Sequence, residues 1–152
     1  MSNTAAAPAT GKINYSYIKD NNPSLYEFFL DYWKFIKGYW RIYNEEDWWN
    51  CLISDMNYYV SKYSWSSFCV ELLMDFYDRC KNDKDQTETL EDTRIFLKEW
   101  WQYINRFYKR GEEDEGWWLE FLAETDKITS KYKNVPYYCA LVDEFIKIRA
   151  KD

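Results

Sequence analysis

The chain has 152 residues, a net charge of −6, no histidine, and 22% aromatic residues. The length suits one compact domain, or two very small ones sharing a core. The acidity argues against binding bare nucleic acid, which needs a dense Lys/Arg face, and the missing imidazole removes the commonest general base and metal ligand.

In chain order, MSNTAAAPATGK is small and polar, with Pro8 and Gly11, and residues 1–21 read as a disordered or irregular tail. Asn22-Pro23-Ser24 is a helix start, with Asn or Ser as cap and proline tolerated in the first turn. Leu25, Phe28, Phe29, Tyr32, Trp33, Ile36, Tyr39 and Trp40 then recur at helical spacing. Gly38 marks an expected kink. Asn44 is the expected cap of a second helix, with Glu45, Glu46 and Asp47 in its first turn, where carboxylates complement the helix dipole. Trp49, Leu52, Ile53, Met56, Tyr59, Val60 and Tyr63 form its apolar stripe. Ser64 or Ser66 opens a third helix carrying Phe68, Leu72, Leu73, Phe76 and Cys80.

Residues 83–87 read as a polar linker, after which the pattern returns. A capping box from Asp85 to Glu88 is expected to open the fourth helix, with Leu90, Leu97, Trp101, Ile104 and Tyr108 as its stripe. Gly111 reads as a left-handed cap. In the fifth helix Trp118, Phe121, Leu122, Thr125, Ile128 and Tyr132 are expected to face inward. Asn134-Val135-Pro136 announces the last helix, with Leu141, Val142, Phe145 and Ile148 on its stripe. No segment alternates as a strand would, so the expected fold class is all-α.

The two halves align. Trp33 falls on Trp101 and Ile36 on Ile104 at an offset of 68. After a one-residue insertion near Gly116 the offset becomes 69: Trp48-Trp49 meets Trp117-Trp118, Ser61-Lys62-Tyr63 meets Ser130-Lys131-Tyr132, and Leu72 and Phe76 meet Leu141 and Phe145. The expected architecture is therefore about six helices, as two tandem three-helix repeats (22–82 and 88–152) packed in one globular domain with pseudo-twofold symmetry. A unit of this size is marginal alone, so a fused homodimer is the economical account.

Chemistry is sparse. Cys51, Cys69, Cys80 and Cys139 have no CxxC spacing and read as reduced, buried thiols of an intracellular protein. No apolar run is long enough to span a membrane, and no secretory leader opens the chain. Glu88/Glu91, Glu112/Glu115, Glu120/Glu124 and Asp143/Glu144 resemble the carboxylate pairs of Mg²⁺-dependent helical nucleotide hydrolases, a minor alternative. Lys62, Tyr63, Lys131 and Tyr132 form a second alternative, a pair of basic and aromatic groups suited to a nucleotide-like ligand held between the repeats. No catalytic residue, cofactor or metal is assigned.

The leading expectation is a protein–protein contact. Glu45, Glu46 and Asp47, with Glu112, Glu113, Asp114 and Glu115, place acids at two helix starts. Trp48 and Trp117 lie about 100° from the inward Trp49 and Trp118, and so are the tryptophans free to meet a partner. A protein with a basic surface fits such a site.

The stretch YWKFIKGYW…EEDWWNCL…SKYSWSSFCVELLMDFYDR resembles small acidic helical proteins from phages and mobile elements of Gram-positive bacteria. Those are about one such unit long, with a W-K-F/Y opening, a D/E-x-W second helix, a K-Y pair, then F-x-x-L-L. The resemblance covers residues 28–81 and, more weakly, 96–150, where Trp101-Gln102-Tyr103 and Pro136 depart from it. It implies no activity and no functional residues. It implies a setting: the cytoplasm of a bacterial host, and an accessory role such as inhibiting a defence factor by occupying its surface or imitating nucleic-acid charge.

Overall fold

Asn22 opens the first long helix as expected, its side-chain oxygen accepting from Leu25 N at 3.2 Å with Pro23 in the first helical position. The computed structural model describes residues 15–82 and 87–150. These form seven helices and no strand: α1 (Tyr17–Asn21), α2 (Pro23–Tyr39), α3 (Glu46–Lys62), α4 (Ser67–Asn82), α5 (Leu90–Phe107), α6 (Glu115–Lys131) and α7 (Pro136–Ala150). The all-α class is thus observed. Most of the linker expectation, and the tail up to residue 14, lie outside the described residues.

Several boundaries differ from the sequence reading. Tyr17–Asn21, expected in an irregular tail, is helical because Ile18 is fully buried and its N–H donates to Asn105 Oδ1 at 2.9 Å. The cap of α3 is Glu45 rather than Asn44, without a side-chain bond. The capping box of α5 is Thr89 with Asp92, whose backbone and side chains exchange bonds of 3.0 Å. Elsewhere Ser66 Oγ accepts from Cys69 N at the start of α4, and α7 begins at Pro136, as the sequence indicates. Gly111 takes φ +93, but α5 ends at Phe107 with Tyr108 as its cap, so the glycine turns the following loop instead of capping the helix. Gly38 sits one residue from the end of α2, which runs through it as a single helix.

The core is aromatic, and its polar tips are satisfied. The Tyr32 hydroxyl donates to Leu72 O at 2.7 Å and lies 2.8 Å from the Tyr137 hydroxyl, all buried. Trp100, at the position 68 residues beyond Tyr32, donates from Nε1 to Leu141 O at 3.1 Å. Helix α4 packs most extensively against α7. Helix α2 meets α5 through Phe29, whose ring lies 5.3 Å from that of Trp100 and 4.1 Å from that of Trp101.

Helix α5 corrects the predicted stripe. Its buried face is Thr93, Phe96, Trp100, Tyr103, Ile104, Asn105 and Phe107, while Leu90, Leu97, Trp101 and Tyr108 are only half-buried. The helix is apolar over a wide arc, with one side on α6 and α7 and the other on α1 and α2. Similarly, Ile53 and Leu122, expected inward, are exposed. Of the cysteines, Cys69 and Cys80 are buried free thiols, which burial pushes up to about 11, whereas Cys51 is exposed. No helix among the described residues is long and apolar enough to cross a membrane.

Candidate functional site

The two acidic helix starts are differently employed. At α3, Glu45, Glu46 and Asp47 are exposed, and Glu46 and Asp47 occupy the first turn. Trp48 packs edge-on against Tyr39 at 5.7 Å and against Trp49 at 4.8 Å, which leaves both tryptophans half-buried. At α6, Asp114 is the cap, accepting from Trp117 N at 2.8 Å. Glu113 accepts from the N–H groups of Gly111 and Glu112 and binds Arg149 Nη2 at 2.9 Å. Of this cluster, Glu112, Asp114 and Glu115 are exposed, while Glu113 is turned to internal work.

The tryptophans of α6 reverse the expected facing. Trp117 stacks on Phe121 at 5.2 Å and carries the Arg149 guanidinium over its ring at 4.6 Å. Arg149 is itself only 2% exposed, so this sandwich fixes Trp117 inward. Trp118, one residue and about 100° further round, is 39% exposed. Leu119 and Leu122 are 62% and 60% exposed. Glu115, Trp118, Leu119, Leu122 and Asp126 recur at three- and four-residue steps, giving one outer face with an apolar centre and a carboxylate one turn away at each end. Sequence reading missed this face because it placed Trp118 and Leu122 in the core; the exposed Leu119 between them was the available signal.

The lysine–tyrosine pairs have matching partners. Lys62 Nζ lies 3.0 Å from Asp31 Oδ2 and 3.1 Å from Glu27 Oε2, while the Tyr63 hydroxyl donates to the same Asp31 oxygen at 2.5 Å. Lys131 Nζ lies 2.7 Å from Glu99 Oε1, which also accepts from the Tyr132 hydroxyl at 2.6 Å. Burial and then the shared carboxylate push both phenols above their ordinary value; the Asp31 and Glu27 bonds raise the Lys62 ammonium. Both cations therefore clamp α3 to α2 and α6 to α5. Lys131 also borders an open cleft of about 200 Å³ with Glu99, Arg106, Glu124 and Lys127, a mixed-charge lining smaller than most ligand sites.

Each carboxylate pair has at least one member engaged with a base. Glu91 chelates Arg94 at 2.6 and 2.9 Å, Glu112 meets Lys109, Glu120 and Glu124 meet Arg106, and Glu144 meets Lys147. Among the described residues no three His, Cys, Asp or Glu side chains are grouped to hold an ion.

Comparison of the chain with protein families, with curated proteins and with solved structures returned no match.

Proposed function

We propose that this chain is a non-enzymatic binding protein that engages a basic protein surface, built as a fused pair of three-helix units related by an approximate dyad. The observation carrying the functional part is the outer face of α6. An apolar centre of Trp118, Leu119 and Leu122 is left to solvent, with Glu115 and Asp126 at its ends. A desolvatable aromatic and aliphatic centre with a charged rim is how protein interfaces are composed. The exposed acids at the start of α3 add to the field that would steer a cationic partner.

Supporting the fused-pair reading, α3 and α6 have boundaries exactly one offset apart, 46–62 and 115–131. Each half ties its second helix to its first through the same carboxylate, lysine and tyrosine. Phe28 meets Tyr63 edge-on at 4.9 Å, as Phe96 meets Tyr132. Like helices also pack on like, α4 on α7 and α2 against α5, an arrangement that an isologous contact between two copies allows.

For its setting, the resemblance to phage and mobile-element proteins favours a bacterial host cytoplasm, with a defence factor as the partner inhibited. The geometry lends nothing to a nucleotide held by Lys62 and Lys131, whose charges are already matched by carboxylates.

Affinity capture from a bacterial host extract tests the proposal, using the native chain beside a variant carrying Leu119→Ser and Leu122→Ser. A basic protein retained by the native chain, released by salt and missed by the variant is the expected result. Identical captured proteins from both chains would remove the α6 face from the account.

A further inference from the structure

Between α2 and α5 lies a groove of about 360 Å³ whose ten lining residues fall into five pairs separated by 68 positions. Among the lining residues, the Phe29 ring lies 5.3 Å from that of Trp100 and 4.1 Å from that of Trp101, and Trp33 and Trp101 are half-buried. The rim carries Leu30, half exposed at 50%, with Arg94 and Lys98.

Charge distinguishes this place from the rest of the surface. The chain carries 26 acidic against 20 basic residues, yet the lining contains two cations and no carboxylate. Arg94 is held by Glu91 through two bonds, whereas Lys98 has no ion-pair partner among the described residues. Lys37, outside the lining, adds a third positive charge nearby, its ammonium 5.6 Å from the centre of the Trp33 ring. The indoles of Trp33 and Trp101 offer aromatic surface to a ring, and the Lys98 ammonium offers a counter-charge. The volume falls within the range of small-molecule sites, about 300–1,000 Å³. A docked helix, about 10 Å across, would need a longer trough.

We infer that the α2–α5 groove is a binding site for a flat aromatic molecule carrying an anionic group, its ring between Trp33 and Trp101 and its anion toward Lys98. This site is separate from the α6 face and stands or falls without it.

Anilinonaphthalene sulfonate is the probe, titrated against the folded full chain and followed by its fluorescence, with its uncharged relative phenylnaphthylamine in parallel. Leu30→Glu and Lys98→Glu alter exposed rim positions, so circular dichroism should stay native. The expected result is saturable binding of one sulfonate per chain. Leu30→Glu should weaken it by about tenfold or more and Lys98→Glu by about fivefold, while Lys98→Glu should barely affect the uncharged relative. Leu119→Glu on α6 should leave both probes bound as before. Absence of saturable binding, binding that survives Leu30→Glu, or binding lost with Leu119→Glu would overturn the site. An equal effect of Lys98→Glu on both probes would overturn its preference for anions.

Discussion

Asp75 of α4 and Glu144 of α7 set two carboxyl groups against each other across the seam where those helices pack, and Asp75 Oδ2 is buried with no hydrogen-bond partner among the described residues. Glu144 is buried and Asp75 partly so. Burial first, then Glu144 and Glu71, push the Asp75 carboxyl up to about 8, with Lys147 opposing. A carboxyl whose folded pKa is raised stabilises the fold fully below its unfolded value near 4 and loses that contribution as pH climbs to its folded value. Solvent reaching this half-buried group screens the penalty, leaving a loss on the order of 2 kcal/mol between pH 4 and 8, then a plateau. Urea unfolding across that window should show the decline, and Asp75→Asn should flatten it while raising stability at pH 8.

The tryptophans give a contrast within one chain. Trp100 is fully buried and bonded to Leu141 O, so Trp100→Ala should cost about 3–5 kcal/mol. Trp118 is exposed, so Trp118→Ala should cost less than about 1 kcal/mol. Chemical denaturation of the two variants decides the matter, and equal losses would return Trp118 to the core.

Tyr32 joins α2 to both α4 and α7 through one hydroxyl. Tyr32→Phe keeps the ring and removes both bonds, leaving the buried Tyr137 hydroxyl without its partner. A loss of about 1–3 kcal/mol is expected in equilibrium unfolding, larger than for a solvent-exposed phenol treated the same way.

Much of the fold was legible because helix starts are local. Asn22-Pro23 and Val135-Pro136 each announce a helix within three residues. Spacing places Phe68, Leu72, Leu73, Phe76 and Cys80 of α4 and Leu141, Val142 and Phe145 of α7 in the core. It does not place the buried Arg79, Glu144 and Arg149 there, and Ile148 is only half-buried. What was not legible depends on partners distant in the chain. Ile18 is ordered by Asn105, 87 residues away. Trp117 and Trp118 differ by a single step of the helix, and Arg149 over Trp117 decides which turns inward. The acceptors of Lys62 and Lys131 are Asp31 and Glu99, residues without a signature of their own. Likewise, the α2–α5 groove exists only once both helices are set side by side.

Charge steering of a basic partner is the claim on which the functional account turns, and the association rate constant at low salt reads it most directly. The native chain is compared with a variant neutralised at Glu45, Glu46, Asp47, Glu112 and Glu115, leaving Glu113 and Asp114 to their structural bonds. The native rate should fall steeply as salt is raised, and the variant should associate about tenfold or more slowly at low salt with a shallow salt dependence. Equal low-salt rates for the two chains would contradict the account.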